Sequence, residues 1–170
     1  MQELRASVPC MSVQSISSPL GRMDNVVIDT NSLIIAISSR SAYHRIWQSF
    51  LAGDYCLCVS NEILEEYAEV IARNISVNAA RYVVYTIMER KNVRQITPSY
   101  KWNLITADPD DNKFVDCAIA ANARFIVTED HHFNVLKEIN FPSVDVINID
   151  DFLKEILSKL LLSAKPAIPF

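Results

Sequence analysis

Short apolar runs rich in β-branched residues alternate along this chain with stretches of helical period, and that alternation limits the fold more than any other feature. Asn25-Val26-Val27-Ile28, Tyr55 to Val59 and Phe125-Ile126-Val127 read as strands, and Val144 to Ile147 as a last one. Val93 to Ile96 and Trp102 to Ile105 read as short extended pieces around Pro98. Helical patterns cover about Ser41 to Leu51, Asn61 to Arg73, Ser76 to Lys91, the stretch after Asp111 and about Asp150 to Leu162. Another helix begins at Leu33, capped by Thr30-Asn31-Ser32, and a short helical turn covers His131 to Lys137. Strands separated by helices predict a three-layer α/β/α sandwich with a mostly parallel central sheet. Ligands of such sheets bind beyond the carboxyl ends of the strands, so the residues just after each strand carry the most information.

Two of those residues are acids. Asp29 follows the first strand directly, and Asp130 closes Thr128-Glu129-Asp130 after the run at Phe125. Helical wheels rank the acids that come next. In the helix over Asn61 to Arg73, Ile63, Leu64, Tyr67, Val70 and Ile71 define a core-facing arc. Glu62, Glu65 and Glu69 lie roughly 140–160° from its centre and belong in solvent, whereas Glu66 lies only about 100° away, at the edge of the buried arc. That edge position suits a residue reaching across the domain or one pairing with Arg73. In the stretch Asp108 to Phe133, the inner arc is Phe114, Val115, Ala118, Ile119, Ala121 and Asn122. Asp111 falls near its centre, as an N-cap or a ligand, and Asp116 falls about 150° away, facing solvent. Asp108 and Asp110 are read as capping or surface acids, and His131 and His132 as flanking polar residues rather than zinc ligands. Converging carboxylates without compensating bases bind hard cations, and an oxygen-only set favours Mg²⁺ or Mn²⁺.

The formal charge of −4 does not describe a basic nucleic-acid binder, but the charge is uneven. Arg73, Arg81, Arg90, Lys91, Arg94 and Lys101 face one acid, Glu89, between residues 73 and 101, whereas acids dominate from Trp102 onward. A basic arm beside an acidic centre suits a metal site that also holds a phosphate backbone, or is simply a solvated helix face. Four cysteines show no metal-binding spacing and point to a reducing, cytoplasmic setting, with Cys56 and Cys58 on one face of their strand. No apolar run reaches the roughly 18 residues of a membrane span. Residues 1–22 read as a flexible leader, 23–162 as one domain and 163–170 as a tail. The apolar helix end at Leu157, Leu160, Leu161 and Leu162 is read as plain packing or as contact with a second copy or a partner.

Three segments taken in order carry a resemblance: VVIDTN at 26–31, VSNEILEEYAEVIAR at 59–73 and DPDDNKFVDCAIAANARFIVTED at 108–130. Together they resemble the PIN-domain nuclease family, small metal-dependent ribonucleases common as toxins of bacterial toxin–antitoxin pairs. The resemblance implies a site of Asp29, Glu66, Asp111 and Asp130 holding one or two Mg²⁺ or Mn²⁺ ions, the same acids that the wheels select. It implies supporting roles for Asn31, Ser60 and Thr128, with Asp116 as an extra acid of the cluster. The implied activity is hydrolysis of RNA to 5′-phosphate and 3′-hydroxyl ends, with an antitoxin protein as partner. Arg73, Arg81, Arg90 and Arg94 are the expected contacts to the RNA backbone. A haloacid-dehalogenase-type phosphatase would need a second aspartate where Asn31 stands. The competing reading from another class is a catalytically silent PIN-like module that binds RNA or protein.

Overall fold

The computed structural model describes residues 23–163, so the leader expected at 1–22 and residues 164–170 of the expected tail lie outside the described residues. The strands are β1 (Asn25–Ile28), β2 (Cys56–Val59), β3 (Val93–Gln95), β4 (Phe125–Val127) and β5 (Asp145–Ile147). They form one sheet in the order β3-β2-β1-β4-β5, and every neighbouring pair is parallel. The helices are α1 (Thr30–Ile37), α2 (His44–Ala52), α3 (Asn61–Asn74), α4 (Val77–Met88), α5 (Asn112–Ala121) and α6 (Ile149–Ser163). Two 3₁₀ segments, Pro109–Asp111 and His131–Glu138, precede α5 and follow β4.

The topology explains why the strands are so apolar. The connections from β1 to β2 and from β2 to β3 step one way along the sheet, and the connection from β3 to β4 steps back. Right-handed crossovers therefore put α5 on the face opposite α1 to α4, and the sheet is covered on both sides. All four residues of β2 are buried in consequence, Cys56 and Cys58 included, and α5 packs across β1, β2 and β4. Local chemistry fixes the element ends. Ser60 and Ser76 accept capping hydrogen bonds from the amides of Ile63 and Ala79. Gly53 ends α2 with φ 88°, in the left-handed region that glycine enters without a Cβ clash.

Four details differ from the sequence reading. First, α1 begins at Thr30 rather than Leu33, so Asp29 itself holds the N-cap position, yet its carboxylate makes no capping hydrogen bond. Second, Trp102 to Ile105 joins no strand. Its backbone lies along α5 instead, where the amides of Trp102 and Ile105 donate to Asp116 (2.9 Å) and Asn112 (3.0 Å). Third, that segment covers the side of α5 expected in solvent, and Asp116 is buried at 4% exposure. Fourth, Asn122 is not on the inner arc. It is exposed and caps α5 in the left-handed conformation, φ 48°.

Candidate active site

Because all strands run the same way, Asp29 after β1 and Asp130 after β4 emerge at one sheet edge, where α1, α3 and α5 also begin. Thr128 joins the two acids. Its hydroxyl donates to Asp29 Oδ2 (3.2 Å) and accepts from the Asp130 amide (2.9 Å). Glu66 is brought in by α3, whose next residue, the fully buried Tyr67, donates its hydroxyl to the carbonyl of Ile28 at the end of β1. One helical turn of α3 is thereby tied to the backbone beside Asp29. Both Glu66 oxygens are engaged: Oε1 accepts from the Thr30 hydroxyl at 2.5 Å, and Oε2 meets the Lys113 ammonium at 2.5 Å.

Asp111 enters from the 3₁₀ turn ahead of α5. The loop carrying it is pinned by Asn112, which is buried and pairs with both the amide and the carbonyl of Ile105 (3.0 and 2.7 Å) and with the Pro109 carbonyl (3.0 Å). Asp108 caps the turn by accepting from the Asp110 amide, as expected of it, but its carboxylate also groups with Asp111 and His132. His132 belongs to the site as well. Its Nδ1 lies 3.1 Å from Asp130 Oδ1 and 3.8 Å from Asp111 Oδ2. Asp108, Asp111 and His132 place one ligand atom each within 4.8 Å of one another, as do Asp130, His131 and His132.

The electrostatics are those of a site short of positive charge. Burial pushes the Asp29 carboxyl up to about 6, and the neighbouring Glu66 and Asp130 add to the rise, against hydrogen bonds from Thr128 and the Thr30 amide. Burial also pushes Asp111 up to about 6, reinforced by Asp108, Asp130 and Asp29 and relieved in part by His132. Asp111 Oδ2 and His132 Nδ1 are buried atoms without a hydrogen-bond partner. An orphaned buried carboxylate oxygen facing other acids fits a bound cation, which would satisfy that oxygen and restore the carboxylates to their charged form. An open cleft of about 460 Å³ runs beside the acids, lined by Glu66, Glu69, Arg73, Asp108, Asp111 and Lys113 among others.

The structure thus brings Asp29, Glu66, Asp111 and Asp130 to one sheet edge. The other expected residues are dispersed. Ser60 caps the helix that carries Glu66, and Asn31 is exposed on the first turn of α1. Asp116 is held by the Trp102 amide and lines a neighbouring cleft with Glu62, Asp110 and Lys101, to which none of Asp29, Glu66, Asp111 and Asp130 contributes. Arg73 pairs with Glu69 at 3.9 Å, not with Glu66, and Arg81 is exposed on α4. Arg90 and Arg94 donate to the carbonyls of Leu51 and Ala121, which precede β2 and β4 and so mark the opposite edge of the sheet. The reading of the sequence missed Thr30, Asn112, Lys113 and His132. Only His132 carried a sequence signal, its place two residues after Asp130.

A family model described as PIN domain matches residues 25–132, well over half of the chain. Among solved structures, VapBC2 from Rickettsia felis bound to a DNA fragment from its promoter is similar, with a TM-score of 0.52 at 18% identity over 73% of this chain and 98% of that one. DNA-bound VapBC from Salmonella typhimurium is similar to the same degree, with a TM-score of 0.51 at 16% identity over 75% of this chain and 99% of that one. At these identities the likeness is one of fold. No curated protein matches the sequence. Among the described residues, no helix is long and apolar enough to cross a membrane.

Proposed function

The chain belongs to the PIN-domain family, and from that premise we propose that it is a metal-dependent endoribonuclease. One observation carries the reading: Asp111 Oδ2 is buried without a hydrogen bond among Asp29, Asp108, Asp130 and His132, a donor set that suits a cation. Asp29, Asp111 and Asp130 would hold a Mg²⁺ or Mn²⁺ ion. When bound, such an ion lowers the pKa of a water molecule and stabilises charge that develops on a phosphodiester. Thr128 fixes Asp29 and Asp130 relative to each other, Tyr67 fixes α3 against β1, and Asn112 fixes the loop that presents Asp111. In the hydrolysis the water oxygen would bond to phosphorus and give up a proton to solvent, while the bond to the departing 3′-oxygen breaks and that oxygen takes a proton from solvent, leaving 5′-phosphate and 3′-hydroxyl ends.

Phosphate contacts would come from the cleft wall, where Lys113 and Arg73 stand, with Arg81 on the adjacent helix. The guanidinium groups of Arg90 and Arg94 are engaged at the other edge and are left out of this role. A toxin of a toxin–antitoxin pair, inhibited by a partner protein, is the setting we favour, and the likeness in fold to VapBC supports it. The test is cleavage of a labelled RNA under Mn²⁺ and Mg²⁺ titration by the native chain and by Asp29→Asn. Loss of two or more orders of magnitude in the variant is expected. Equal cleavage by both proteins would refute the mechanism, and tight RNA binding without cleavage by the native chain would favour the silent module.

A further inference from the structure

Lys113 breaks a local rule. It is the second residue of α5, in the first turn, where the helix dipole favours anions, and the acids that offset it locally, Asp108, Asp110 and Asp111, all precede the helix. Its side chain is nevertheless only 18% exposed, with Nζ 5.6 Å from the centre of the Phe114 ring and 2.5 Å from Glu66 Oε2. A cation held against its local preference and largely out of water is there for its partners. The nearest partner is Glu66, whose other oxygen is taken by Thr30 at 2.5 Å. Both oxygens of Glu66 are therefore engaged, each by one partner, and Tyr67 ties the turn of α3 that carries Glu66 to the end of β1.

The other end of the acid group is arranged differently. Asp111 Oδ2 and His132 Nδ1 have no hydrogen-bond partner, and Asp130 Oδ1 lies 3.1 Å from that imidazole nitrogen. The site thus has one end with an unpartnered carboxylate oxygen and one end that already contains a cation. Two-ion nucleases place their metals roughly 3.5–4 Å apart and bridge them with carboxylates. Here an ammonium is seated on the carboxylate that the second ion would need.

We propose that this chain is a one-ion site in which the Lys113 ammonium stands in place of a second divalent ion, with Glu66 as the positioning residue for that lysine rather than a metal ligand. The proposal rests on the metal-dependent reading above and deepens it. It predicts how many ions bind, independently of whether any RNA is cut. Like the second ion of a two-ion site, the lysine supplies fixed positive charge at the cleft wall, but it cannot be removed by a chelator.

Mn²⁺ titration of the full chain by calorimetry, with electron paramagnetic resonance of the loaded protein, tests it. The native chain and Lys113→Arg should bind one Mn²⁺. Lys113→Gln frees Glu66 Oε2 and should bind two, with the spectrum of a spin-coupled pair. Should Lys113→Gln fail to fold, Glu66→Gln serves instead. It should leave Mn²⁺ affinity within about threefold of native, whereas Asp111→Asn should lower it by more than tenfold. Two coupled ions in the native chain, a single ion in folded Lys113→Gln, or an equal loss of affinity in Glu66→Gln and Asp111→Asn would overturn the proposal. A native chain that binds no Mn²⁺ would instead overturn the metal-dependent reading beneath it.

Discussion

Replacing Asp29 by Asn should stabilise the metal-free protein at neutral pH while abolishing its response to metal. Asp29 is 6% exposed, and burial holds its carboxyl up to about 6 against an ordinary value of 3.8. In the unfolded chain the same group ionises near the ordinary value. Between about pH 3.8 and 6 the folded chain therefore binds more protons than the unfolded one, so stability falls as pH rises through that window and levels off above it. A difference of about two pKa units corresponds to about 3 kcal/mol of destabilisation at pH 7.5. Asn removes the charge, but it keeps a buried amide whose oxygen can accept from Thr128 and whose NH₂ finds no assured partner. The net gain should then be about 1–2 kcal/mol, which raises the melting temperature by about 3–8 °C for a domain of this size. Burial and neighbouring acids raise Asp111 in the same direction, so the native midpoint should itself rise when pH is lowered from about 7.5 to about 5. Thermal unfolding followed by circular dichroism in excess chelator, at both pH values, reads these changes. Added Mn²⁺ should then raise the native midpoint and leave that of Asp29→Asn nearly unchanged. A variant no more stable than native in chelator, with a native midpoint flat across the pH range, would refute the reasoning.

Two further substitutions separate loop support from ligand chemistry. Asn112→Ala removes three hydrogen bonds to Ile105 and Pro109 and should cost about 2–3 kcal/mol. Hydrogen exchange should show faster opening of the Ile105 and Asp111 amides, and unchanged exchange there would mean that the loop is held by something else. His132→Ala should lower Mn²⁺ affinity by about tenfold while changing Mg²⁺ affinity little, because an imidazole nitrogen favours the softer ion. Equal losses for the two ions in competition calorimetry would mean that His132 acts on the carboxylates and not on the metal.

The fold was legible because each element states its type locally. β1, β2, β4 and β5 are short apolar runs bounded by turn chemistry, and α2, α3 and α6 have one apolar arc each. Parallel order follows from alternation alone, and with it the edge at which Asp29 and Asp130 emerge. The misread start of α1 has a physical cause. Thr30, Asn31 and Ser32 are all good caps, and a sequence cannot decide among consecutive capping residues when tertiary contacts choose an earlier one. Here the choice sets Thr30 on the first turn of α1, within reach of Glu66.

The wheels that sorted the glutamates of α3 failed on α5, and the difference between the two helices is instructive. The outward face of α3 is open, so angle from the apolar arc measures exposure: Glu62, Glu65 and Glu69 are exposed and Glu66 is half-buried. On α5 the backbone from Trp102 to Ile105 closes a second side, and an acid 150° from the core arc is buried as well. Angle then says nothing about role, and what remains is whether the buried oxygens have partners. Asp116 Oδ1 accepts the Trp102 amide, and no oxygen of that residue is left orphaned. Asp111 keeps a buried oxygen without a hydrogen bond, with only the His132 imidazole nitrogen 3.8 Å away. Both acids are raised by burial, so titration alone would not tell them apart. The unpartnered oxygen does: Asp116 fastens a loop, and the orphaned oxygen of Asp111 supports the proposal that this residue receives a cation. Lys113 and Asn112 were illegible for a related reason. Each acts through a partner that is remote in sequence or through a loop of no fixed period, and such pairings are properties of the folded chain alone.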